Sequence, residues 1–133
     1  MRTAVCGVGA VILLALPASA QSAVFKTPQR AAYCDFQAKG TLGEGGAPIK
    51  ASNLLCWTPN DGFFVTMDRT GSARHAYGEE FFQGSTPPAA TLPFGRGWRL
   101  GGFRCVSRSS GLTCTNASGH GWWLGRFRGY RMF

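Results

Sequence analysis

The sequence predicts an all-β fold, and three observations carry that expectation. No stretch holds a sustained apolar period of 3.6 residues, glycine and proline recur every few positions, and the apolar segments are short and rich in aromatic and β-branched residues. The expected architecture is a small disulfide-stapled β-sandwich or barrel of antiparallel hairpins.

Ahead of the first strand, residues 1 to 20 read as a secretory signal peptide. Arg2 supplies the positive charge, Ala4 to Leu16 the apolar run, and Ala18-Ser19-Ala20 the small-residue cleavage site. The run is too short to span a bilayer, so no transmembrane segment is expected and the protein is placed as secreted or periplasmic. Cleavage after Ala20 removes Cys6 and leaves residues 21 to 133, a length suited to one all-β domain. Its four cysteines are expected to form two disulfides, with three pairings open at this point. A zinc site would need C-x-x-C spacing or neighbouring histidines, and neither occurs, so no metal or cofactor is expected.

The candidate strands are, in order, "AYCDF" (32 to 36), "LLCWT" (54 to 58), "GFFVTM" (62 to 67), "GFRCVS" (102 to 107), "LTCTN" (112 to 116) and "WWLGRFR" (122 to 128). "TPNDG" (58 to 62) is a turn, because Asn, Asp and Gly tolerate positive φ, and it folds Cys56-Trp57 back on Phe64-Val65. Residues 39 to 53 are expected to be a flexible loop, and residues 83 to 93 a second loop separating the two halves of the chain. A four-residue hairpin loop at "RSSG" (108 to 111) sets Ser107 against Leu112, Cys105 against Cys114 and Phe103 against Asn116. A Cys105–Cys114 cross-strand disulfide follows, best made at a non-hydrogen-bonded pair, and by elimination Cys34 pairs with Cys56.

Alternation then sorts the faces. Phe103, Cys105 and Leu112 share the core side, and Arg104 and Arg108 face solvent. In the last strand, Trp123 and Phe127 are expected inside, and Trp122, Arg126 and Arg128 outside.

The ordered set "FKTP" (25 to 28), "YC" (33 to 34), "LLCW" (54 to 57), "LPFGRGW" (92 to 98), "GFRCVS" (102 to 107), "GLTCTN" (111 to 116) and "GHGWWLGR" (119 to 126) resembles a family of small secreted bacterial proteins catalogued as a domain of unknown function. Members of that family often carry a further cysteine pair in mid-domain, where residues 71 to 81 of this chain have none. The resemblance implies export, a single domain and disulfides, and it brings no established activity.

Charge is distributed unevenly. Through Glu80, six basic residues of the mature chain balance all six acidic ones; beyond it, Arg96, Arg99, Arg104, Arg108, Arg126, Arg128 and Arg131 have no acidic counterpart. Interleaved with aromatics, these arginines suggest a patch of Trp98, Arg104, Arg108, Trp122, Arg126 and Arg128 for an anionic polymer, glycan or other envelope component. A protein partner in the envelope, met through the same surface, is the alternative.

Catalysis is the minority reading. His75, Glu79 and His120 are the ingredients of a small secreted ribonuclease, with general acid, general base and arginine to neutralise a phosphorane. No local signature joins them, and His120, set between glycines, is better suited to holding its loop. Adjacent Glu79 and Glu80 point to opposite faces of a strand and make a poor carboxylate dyad. No nucleophile elbow or phosphate-cradling glycine loop is present.

Overall fold

The computed structural model describes residues 23 to 59, 62 to 78 and 89 to 133. The signal segment, the central residues of the "TPNDG" turn, Glu79 and most of the loop at 83 to 93 lie outside the described residues. Among the described residues, eleven strands form two sheets packed face to face, so the fold is an all-β sandwich. The first half of the chain supplies β1 (Val24–Lys26), β2 (Tyr33–Gln37), β3 (Asn53–Trp57), β4 (Phe63–Asp68) and β5 (Arg74–Tyr77). These make an antiparallel meander, and the two-residue β6 (Ala90–Thr91) adds to its far edge, parallel to β1. The second sheet is a meander of β7 (Gly97–Leu100), β8 (Phe103–Arg108), β9 (Gly111–Thr115), β10 (Gly121–Gly125) and β11 (Tyr130–Met132).

The expected hairpins form. Cys56 lies opposite Val65 and Trp57 opposite Phe64; Ser107 opposes Leu112 and Cys105 opposes Cys114. Both disulfides are present, Cys34–Cys56 and Cys105–Cys114, each with Cα atoms 4.1 Å apart. That separation belongs to the closer, non-hydrogen-bonded kind of antiparallel pair. The loop at 39 to 53 folds back on itself through a Leu42–Pro48 bridge and backbone bonds from Gly40 N–H to Ile49 and from Ile49 N–H to Thr41.

One inward row of each sheet explains the core. In the first sheet, Phe25, Cys34, Cys56, Val65 and His75 are consecutive cross-strand partners. In the second, the row runs Trp98, Cys105, Cys114, Trp122, Met132. Directly opposed residues project to the same face, so a tryptophan flanks the disulfide on either side. The rows meet: Phe25 and Trp98 rings lie 4.9 Å apart, and the sulfurs of Cys34, Cys56 and Cys114 fall within 4.8 Å of one another. As disulfides these sulfurs are not thiolate ligands for a metal.

This row overturns two expectations. Trp122, assigned to solvent from the alternation in "WWLGRFR", is 0% exposed, and Trp98 is 4% exposed. The error has a physical source. Sequence alternation gave two faces without saying which meets the core, and Trp123 with Phe127 was the more aromatic pair. Pairing with inward Cys114 decides the matter for Trp122. The expected strand 122 to 128 also ends at Gly125. Gly125 N–H bonds to Gly129 C=O, Gly129 sits at φ +87°, and the chain reverses into β11, leaving Phe127 83% exposed at the turn.

Candidate functional site

The arginines after residue 80 fall into two groups. On the outer face of the five-stranded sheet, Arg99 lies directly opposite Arg104, Val106 opposite Thr113, Thr113 opposite Trp123, and Trp123 opposite Arg131. Arg108 lies opposite Gly111 at the end of the β8–β9 hairpin. Arg99, Arg104, Arg108 and Arg131 are exposed, and Trp123 is half-buried among them.

Glycine shapes this surface. A Cβ built on Gly111 would stand 2.8 Å from Trp123 Nε1, one on Gly125 3.0 Å from the far edge of the same ring, and one on Gly129 3.9 Å from it. The indole therefore lies down over a floor that only glycine leaves open, with the Arg131 guanidinium 5.4 Å from the ring centroid. Such a flat π-surface beside guanidinium groups suits stacking against a planar or sugar ring while the cations meet its anionic groups. No Asp or Glu occurs in the sequence beyond Glu80. Among the described residues, the one ion pair joins Arg74 to Asp68 at 3.7 Å, in the other half of the chain.

Arg126 and Arg128 do not belong to this face. They line a cleft of about 400 Å³ at the edge of the sandwich, bounded by Gln29, Phe63, Tyr77 and Tyr130. Arg126 is held in place by its neighbours. One amino group donates to Gln29 Oε1, and the guanidinium carbon lies 5.2 Å from the Phe94 ring centroid and 4.9 Å from that of Phe127. Tyr130 is fixed by its ring packing 4.6 Å from Phe63 and by its hydroxyl 3.2 Å from His75 Nε2.

The six residues expected to form one patch are thus separated. Arg104 and Arg108 share the outer sheet face, Arg126 and Arg128 line the cleft, Arg108 and Arg126 meet beside Phe94 in a small neighbouring pocket, and Trp98 and Trp122 are core. Sequence reasoning missed Trp123 and Arg131 on the face, and Gln29, Phe63, Tyr77 and Tyr130 at the cleft. A usable signal existed for Trp123: Cys114 was already placed inward, and the residue opposite it shares its face. The cleft had no such signal, because its walls come from segments remote in sequence, around residues 29, 63, 77 and 126.

The histidines do not converge. His75 is exposed on β5 and meets Tyr130, while half-buried His120 has Nδ1 3.4 Å from Phe133 C=O. Their contacts sit three residues apart along the end of the chain, about 10 Å of extended backbone. Glu79 lies outside the described residues.

His120 belongs to a loop organised by Asn116. The Asn116 side chain is buried; its amide donates to Asp68 C=O at 3.1 Å and Gly71 C=O at 2.8 Å, tying the β9–β10 loop to the β4–β5 turn. Its oxygen accepts from Ser118 N–H, Ser118 Oγ and His120 N–H, each at 3.1 Å. The sequence pattern "NAS" is here a structural lock.

Compared with models of known protein families, with curated proteins and with solved structures, the chain matches none.

Proposed function

We propose that the protein is an exported, non-catalytic binding module that holds an anionic polymer or glycan of the cell envelope against the outer face of its five-stranded sheet. One observation carries the reading: the Trp123 indole lies flat on a glycine floor, within a face where Arg104, Arg108 and Arg131 are exposed. The strands that build the face contain no carboxylate. Several exposed cations on one sheet face match a repeating anion, and the aromatic surface adds a contact that salt does not screen. Disulfides and a leading segment with the form of a signal peptide support an oxidising compartment outside the cytoplasm.

The test is retention on an anionic polysaccharide matrix and on purified envelope at two salt concentrations. Wild type should elute at moderate salt, and replacing Arg104, Arg108 and Arg131 by glutamine should flatten the salt dependence by about one log–log slope unit per lost phosphate-type contact. Trp123→Ala should weaken retention with the salt slope unchanged. Retention of the triple variant equal to wild type would sink the proposal. Retention that high salt leaves untouched would point instead to a protein interface centred on buried aromatics.

A further inference from the structure

We infer that the cleft at the sandwich edge is a separate site for an acidic sugar, a pyranose unit carrying a carboxylate. Four features of its walls lead there. Its mouth gathers exposed aromatic surface: Tyr77 is 68% exposed, Phe127 83% and Tyr130 39%, and all three line the same cleft. Monomeric proteins rarely collect exposed aromatics in one place without a use, and aromatic faces pack well against the C–H faces of a sugar ring.

The charge of the described lining is one-sided. The described lining holds two guanidinium groups and no carboxylate, and the side-chain oxygen of Gln29 is already taken by Arg126. The hydroxyls of Tyr77 and Tyr130 can serve a sugar's own hydroxyls, while a carboxylate, which only accepts, meets the guanidinium donors. A planar guanidinium fork matches that carboxylate in two parallel bonds.

Arg126 is also pre-oriented. It lies between the rings of Phe94 and Phe127, and Gln29 holds one end of the fork. Its Nε is buried without a hydrogen-bond partner. Gln29 itself is the one non-glycine residue at positive φ (+60°) among the described residues. A left-handed backbone at such a residue is uncommon and persists where its surroundings over-determine it, here with its side chain bonded to the arginine of the cleft. A site whose charged group is already fixed loses less freedom on binding. The volume of about 400 Å³ falls in the range of small-ligand sites.

This inference does not depend on the sheet face: Gly125 and Gly129 border both, but the side chains that would contact a ligand, Arg126, Arg128, Tyr77, Phe127 and Tyr130 here and Arg104, Arg108, Trp123 and Arg131 there, are different. The experiment is an NMR titration of the oxidised protein with trigalacturonate, following backbone amides. The expected result is a saturable shift at Phe127, Arg128 and Tyr130 with none at Arg104 or Thr115. Neutral maltotriose should bind at least tenfold more weakly. Arg126→Gln should weaken uronate binding at least tenfold, and Arg126→Lys, which keeps the charge and loses the fork, should weaken it nearly as much. Tyr77→Ala, at an exposed position on the edge strand, should weaken it severalfold, so that a misfolded Arg126 variant would not leave the question open. The Arg104→Gln, Arg108→Gln, Arg131→Gln variant should bind trigalacturonate within twofold of wild type; loss there instead would move the sugar to the sheet face and overturn the assignment. Absence of shifts at the cleft in tens of millimolar trigalacturonate overturns it as well, as do equal shifts with acetate, inorganic phosphate or maltotriose.

Discussion

Replacing Trp122 separates the contribution of its volume from the cost of its polar atom. The residue is fully buried, the largest side chain so placed, and its neighbours along the sheet are Cys114 and Met132. Its indole Nε1 is buried without a hydrogen-bond partner. Trp122→Ala deletes the whole ring, a change of about 3–5 kcal/mol in a core that relaxes only partly. Trp122→Phe deletes roughly three ring atoms, at about 0.8 kcal/mol per methylene-sized group, hence about 2 kcal/mol. The same change removes a desolvated, unbonded N–H whose burial costs about 1–3 kcal/mol. The two terms offset, so Trp122→Phe is expected within about 1 kcal/mol of wild type while Trp122→Ala falls several kcal/mol below it. Guanidinium denaturation of the oxidised proteins, followed by far-ultraviolet circular dichroism, measures both. Equal losses for the two variants would refute the unpaired N–H, and a loss under about 1 kcal/mol for alanine would refute the core placement.

Four further expectations rest on single features. Gly121→Ala should prevent normal β9–β10 pairing, because the added Cβ would lie 1.9 Å from Cys114 C=O; hydrogen exchange across the hairpin reads it, and native protection there would contradict it. Asn116→Ala removes a buried side chain with five hydrogen bonds and should cost about 3 kcal/mol by denaturation, detaching the β9–β10 loop from the β4–β5 turn. Removing Cys34–Cys56, which closes 22 residues, should cost about 0.8 kcal/mol more than removing Cys105–Cys114, which closes 9, if loop entropy dominates; paired Cys→Ala double variants compare like with like, since all four cysteines are fully buried. Burial raises the Asp35 carboxyl above its ordinary value, with a Gln37 hydrogen bond opposing in part. The folded chain therefore binds that proton more readily than the unfolded one, so stability falls as pH rises from about 4 through the raised value. Asp35→Asn should remove that slope in denaturation midpoints taken from pH 3 to 7.

Short-range chemistry determined much of this protein by itself. Glycine and proline spacing, β-branched and aromatic runs, and a two-residue period are properties of neighbouring residues, and they were enough to predict an all-β fold and six of the strands. Cysteine register was local too: a tight loop between Arg108 and Gly111 makes Cys105 and Cys114 face each other whatever the rest of the chain does. The excess of arginine beyond Glu80 was likewise plain from the sequence. The short strands β1, β5, β6, β7 and β11 were not legible, because they have two to four residues each and form by pairing with longer neighbours. Tertiary structure decided which face of each strand meets the other sheet. Alternation defines two faces, but only packing against a second layer assigns one to the core, and Trp122 went inward because it stands opposite Cys114 in the disulfide row. The same step placed Trp123 on its glycine floor beside Arg131 and sent Arg126 and Arg128 past the strand end into a cleft walled by Gln29, Phe63 and Tyr77, residues remote in sequence that meet only when two sheets close on one core.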